Sequence, residues 1–121
     1  MQVAIAIVVA AFLGLSLAPL SAHETTDGES GQLGNVHFET SCNDDAQSHF
    51  DRGIAAVHNF FFAPARKSFN AALEKDPKCG IGYWGLAMTT LGNWLVSPPT
   101  PKVIADARAQ LQKGFDIDAG T

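Results

Sequence analysis

A pattern of large and small apolar residues returns at a fixed distance along the chain. Phe50, Gly53, Ile54 and Val57 are followed 34 residues later by Trp84, Ala87, Met88 and Leu91. Within each set the spacing of three and four places the side chains on one stripe of a helix. Between the sets lies another helical pattern, Ala65, Phe69, Ala72 and Leu73, which runs into Asp76-Pro77. Proline cannot continue a helix, so the chain turns there and starts again. A helix-turn-helix unit that recurs after 34 residues has an apolar face that it cannot bury alone, and it must stack on its own copy.

The same reasoning predicts four helices. The first spans about 45–59, opened by Asn43-Asp44-Asp45, whose short side chains accept bonds from free backbone N–H groups at the positive end of the helix dipole. The second spans about 62–75, with Pro64 in its first turn, where the missing N–H costs little. The third spans about 79–92 with Ile81, Trp84, Ala87, Met88 and Leu91 inward. Ser97-Pro98-Pro99-Thr100-Pro101 is a break. The fourth spans about 101–115, presenting Val103, Ile104, Ala107, Leu111 and Phe115.

A 34-residue helix-turn-helix period is the signature of the tetratricopeptide repeat, and the spacing of individual residues resembles it. Gly53 and Ala65 stand where two helices cross closely, Phe69 fills the gap beside them, Ala72 follows, and Pro77 closes the repeat. Trp84 and Ala87 take the places of Phe50 and Gly53 in a second repeat. Arg52 stands where the family usually carries leucine, and an insertion at Leu95–Pro101 displaces the second repeat's second helix by roughly two turns. The stretches VHFETSC, FDRGIAAVHNFFF, DPKCGIGYWGLAM and LGNWL resemble one group of exported bacterial tetratricopeptide-repeat proteins, from Val36 to Leu95. The resemblance implies an all-α fold of about two antiparallel repeats. It also implies a chain that is the N-terminal part of a longer member, since the group generally carries more repeats. Two repeats leave an apolar end open after Phe115, to be covered by a continuation, a partner or a second copy.

The first residues differ from the rest. Val3 to Leu20 is a nearly unbroken apolar run, broken by Pro19 and followed by Ser21-Ala22 before His23. This has the outline of a secretory signal peptide over 1–22, although its start carries no Lys or Arg. The run is also just long enough for an uncleaved anchor. Residues 23–41 read as a flexible linker and N-terminal segment, and 42–121 as the helical module. The net charge is −4, with seven acidic and no basic residues in 23–51, so the chain is not expected to bind nucleic acid. No membrane contact is expected once the leader is removed. The expected location is periplasmic or secreted.

Export bears on the two cysteines, Cys42 and Cys79. Each precedes the first helix of a repeat, which places them at one edge of a regular stack, and an oxidising compartment favours a disulfide. Neighbouring helices stand about 8–10 Å apart, so the approach segment at Cys42 must close the gap. No C-x-x-C is present to support redox catalysis. An alternative is a periplasmic metal-binding protein in which His37, Cys42, His58 and Cys79 form a zinc set, although their spacing fits no short metal motif. The plainer reading has a capped, stapled helix start with ordinary histidines. A cleaved chain beginning at His23 would also offer its amine and imidazole to copper. Phe50, Phe61, Phe69 and Trp84 are core by phase, whereas Phe60, Phe62, Tyr83 and Trp94 are candidates to line a peptide groove. No P-loop, nucleophile elbow or paired-carboxylate motif occurs. The function expected is therefore non-catalytic protein or peptide binding, without a cofactor, and with self-association through the open repeat end as a further expectation.

Overall fold

The computed structural model describes residues 33–117. The expected signal peptide, the first part of the linker and the last four residues lie outside the described residues. Four α-helices and no strand occur among the described residues: α1 (Asp44–His58), α2 (Phe62–Lys75), α3 (Ile81–Leu91) and α4 (Pro101–Asp116). The protein is all-α over this range.

Local chemistry sets the helix ends. The Asn43 side chain accepts from the Ala46 N–H at 2.8 Å, with Asp44 and Asp45 in the first turn of α1. The Thr100 hydroxyl accepts from the Val103 N–H at 3.3 Å, with Pro101 as the first residue of α4. Gly92, at φ +63°, ends α3.

The end of α1 is unusual. The Phe61 N–H donates to the Ala56 carbonyl and the Phe60 N–H to the Val57 carbonyl, both at 2.9 Å. These two bonds form the Schellman turn that closes many helices, in which the residue in the left-handed conformation is usually glycine. Here that residue is Phe60, at φ +60°, a costly backbone for a bulky side chain. The turn also explains why Phe61 is exposed rather than in the core: it is the residue between the turn and the first turn of α2.

The helices run alternately up and down. Asn43, before α1, bonds to Lys75 and Asp76 at the end of α2, so α1 and α2 are antiparallel. A Cβ on Gly114, near the end of α4, would lie 2.8 Å from the Gly80 carbonyl before α3, so α3 and α4 are antiparallel and pack closely there. Cys42 and Cys79 are bonded, so α1 and α3 start at the same end. This end is the seam end; the turns at 59–61 and 92–100 share the opposite one, the loop end.

The core lies where α2 passes between α1 and α3. Phe50 and Phe69 are completely buried, with ring centroids 5.6 Å apart. A Cβ on Gly53 would lie 2.5 Å from the Phe69 ring, and one on Gly85 2.4 Å from it. Phe69 is thus lodged between a glycine of α1 and a glycine of α3. Ala65 and Ala72 are buried beside it, and Ala87 is buried on α3. α3 meets the Phe69 ring at Gly85, a residue the repeat spacing does not single out. Trp84 is half-buried and packs at the margin of the core. Pro77 is exposed in the turn between α2 and α3. On α4 only Ala107 is buried, and Phe115, expected inward, is 75% exposed because its side of α4 has nothing packed on it among the described residues.

Residues 33–41, expected to belong to the linker, lie along α1. Asp51 accepts from the Phe38 N–H at 3.0 Å and from His37 Nδ1–H at 2.8 Å, and Gln47 donates to the Phe38 carbonyl and accepts from the Thr40 N–H. Leu33 and Val36 pack against the core.

Two expectations follow for stability. Gly53→Ala and Gly85→Ala each gain about 1 kcal/mol of helix propensity, but each drives a methyl group into a ring held on both sides. The clash outweighs the gain, and urea unfolding should show a net loss of about 1–3 kcal/mol for each. Phe60→Gly should do the opposite, raising stability by roughly 0.5–1 kcal/mol through relief of the left-handed strain, net of glycine's extra chain entropy.

Candidate functional site

Three features of the surface carry chemistry: the seam, the histidines, and the depressions against α1 and α2. At the seam, Cys42 and Cys79 form a disulfide with Cα atoms 4.8 Å apart. That spacing lies well inside the usual distance between helix axes because neither cysteine is on a helix. Cys42 sits before the cap of α1, and Cys79 ends the turn that begins at Asp76.

Asp76 organises that turn. Its carbonyl accepts from the Cys79 N–H at 2.9 Å, with Pro77 in the second position, where its fixed φ suits the turn. One carboxylate oxygen accepts from the Lys78 N–H at 3.0 Å and the other from the Asn43 N–H at 2.9 Å. Asn43 in turn caps α1 with its oxygen and donates its amide N–H to the Lys75 carbonyl at 3.1 Å. Two adjacent residues, Asn43 and Cys42, thus hold the start of α1 against the end of α2 and the start of α3.

The structure does not gather the proposed zinc set. Both sulfurs are used in the disulfide. His37 donates to Asp51, and His58 lies at the far end of the 15-residue α1, roughly 21 Å along the axis from Asp44. Among the described residues no three His, Cys, Asp or Glu side chains are grouped to hold a metal ion. His23 lies outside the described residues.

The four aromatic candidates for a groove are also separated. Phe60 and Phe62 pack edge to face with centroids 6.3 Å apart at the loop end. Trp94 is exposed in the long turn before α4, and Tyr83 lies on α3 beneath Gly114. Phe62 reaches an open depression of about 750 Å³ along α2. Its floor includes Ala63 and Ala71, and Arg66, Lys67, Asn70 and Glu74 stand around it. The Arg66 guanidinium donates to the Thr90 hydroxyl at 3.2 Å, which holds α2 and α3 together beside it. A second depression, about 480 Å³, lies between residues 33–36 and the α1 residues Ser48, His49, Asp51, Arg52 and Ala55.

Sequence reasoning had no way to rank the α2 depression. Its residues are polar and small, and a helix face of that kind reads as solvated surface. The signal available was the pair Ala63 and Ala71, eight residues apart on one face, which leaves a shallow strip between longer side chains.

No protein-family model, no curated protein and no solved structure matches the chain. No helix among the described residues is long and apolar enough to cross a membrane.

The seam can be tested by stability. The disulfide closes a loop with a sequence separation of 37, for which chain entropy gives roughly 4 kcal/mol. Cys42→Ser with Cys79→Ser should lower the unfolding free energy by up to that amount, and Asn43→Ala should cost a further ~1 kcal/mol as a lost cap. Non-reducing peptide mapping should recover the two cysteine peptides joined.

Proposed function

We propose that the chain is a tetratricopeptide-like interaction module of an exported protein, with the α2 depression as its contact for an extended peptide. The fold part of this reading rests on one observation: Phe69 fills the space between Gly53 and Gly85, on two helices whose apolar patterns recur after 34 residues. A small residue on each side of a large one is how stacked helical repeats interlock. The disulfide fits an oxidising compartment, in keeping with a leader at 1–22 and a periplasmic or secreted location.

The α2 depression supports peptide binding by its composition. Its apolar floor of Phe62, Ala63 and Ala71 accepts a side chain. Asn70 offers both a donor and an acceptor for peptide backbone, and Arg66, Lys67 and Glu74 supply charge of both signs at the rim. Its size lies within the range of small-ligand and peptide pockets. No catalytic residue and no cofactor is assigned.

A displayed library of random extended peptides tests the reading. Selection on the folded protein should enrich sequences whose binding falls at least tenfold with Asn70→Ala and Arg66→Ala, while circular dichroism stays unchanged. Selected peptides that are indifferent to both substitutions, or no enrichment, would rule out this surface as the contact.

A further inference from the structure

The loop end of the module carries an apolar tip. Trp94 is 57% exposed, Leu95 70%, Val96 80% and Phe60 57%. These residues come from two different turns, and the core places the turns level. Gly53 and Gly85 both touch Phe69, and they lie five residues from the end of α1 and six from the end of α3. Both helices therefore extend about the same distance, roughly 8–9 Å, beyond that ring. The turns at 59–61 and 92–100 consequently project from one end side by side.

Charge is divided along the same axis. Residues 57–67 and 91–103 contain no Asp or Glu but include His58, Arg66, Lys67 and Lys102. Toward the seam end Asp44, Asp45, Glu74, Asp76 and Asp116 outnumber Lys75, Lys78 and Lys113, so that end is mixed in sign with an acidic excess. The nearest acid to the tip on α4 is Asp106, which is paired with Lys102 at 2.6 Å.

Phe60 adds an independent observation. It occupies the left-handed position of a Schellman turn, where glycine would be favoured, and it holds its ring largely in solvent. Strain kept at an exposed aromatic is not accounted for by the stability of the fold. The chain direction adds another. Thr40 bonds to Gln47, Phe38 to Asp51, and Leu33 lines one depression with Ala55. The segment 33–41 therefore climbs α1 toward the loop end.

We propose that the loop end, with Phe60, Trp94, Leu95 and Val96 at its tip, is a membrane-contact surface that enters the interfacial layer of an anionic lipid bilayer. Tryptophan and phenylalanine at loop tips suit the headgroup boundary, where an amphipathic or apolar ring is favoured and basic side chains meet anionic headgroups. The seam end, with its acidic excess, points away from the lipid. Sequence alone predicts no such contact, because Phe60 and Trp94 are far apart in the chain and the run of 94–96 is too short to register as a membrane segment.

The experiment uses the full chain with vesicles of phosphatidylcholine and phosphatidylglycerol that carry bromine on the acyl chains near the headgroup. Trp94 emission should shift to the blue and be quenched, and both effects should vanish in Trp94→Ser, where Trp84 alone remains. Phe60→Gly combined with Leu95→Ser should keep the helical spectrum, since both side chains are exposed, and should reduce the quenching severalfold. Vesicles that carry the chain while Trp94 stays unquenched would overturn the proposal, as would a chain that leaves vesicles unbound. It would equally fail if the blue shift arose without lipid as protein concentration rose, which would mark the tip as a contact between copies.

Discussion

One side chain sets how α1, α2 and α3 meet. The Phe69 ring has a glycine on each side, and neither Gly53 nor Gly85 has room for a single added carbon. Helices carrying ordinary side chains stand about 8–10 Å apart; here the missing side chains let α1 and α3 close on α2 until the ring is enclosed. Phe50 packs on the same ring, and Ala65 and Ala72 keep α2 slim on either side of it. The depth at which Phe69 sits fixes the level of both turns at the loop end, so the geometry of the tip follows from the core.

The seam supplies what the core lacks. α3 is only 11 residues long and has no side-chain cap at its start, and a short helix of this kind is marginal without tertiary support. Its start is held instead by Cys79, through the disulfide and through the turn built on Asp76. Asn43 couples that turn to α1 while capping α1 itself. The residues at 33–41 add a further layer by covering part of the outer side of α1.

The helices were legible in the sequence because their ends are marked by local chemistry: Asn43 before α1, Pro64 within the first turn of α2, Pro77 after it, and Thr100-Pro101 at α4. Each acts over three or four residues, and the observed bounds follow the expected ones within two residues. The close packing was read in part. Gly53 and Phe69 stand out by their spacing, but Gly85 falls outside the 34-residue correspondence and nothing in the sequence marks it as the place where α3 meets the ring. Phe61 reads as core by phase because the left-handed turn at Phe60 is invisible in a sequence where no glycine marks it. The candidate site was less legible still. The zinc set joined residues by type, whereas the fold separates His58 from the cysteines by the length of a helix, and the α2 depression is formed by what its alanines omit.

The disulfide also has a topological consequence. Joining Cys42 to Cys79 encloses α1 and α2 in a covalent ring, with α3 and α4 attached to it as a tail. A single backbone cut at the turn between α1 and α2 would open the ring without releasing a fragment, and the two pieces would stay tethered beside their packing partners. A cut in the turn at 92–100 would leave α4 held by packing alone. Against proteolysis, the first hairpin is thus protected by its connectivity, and the second only by the packing of α4 on α3.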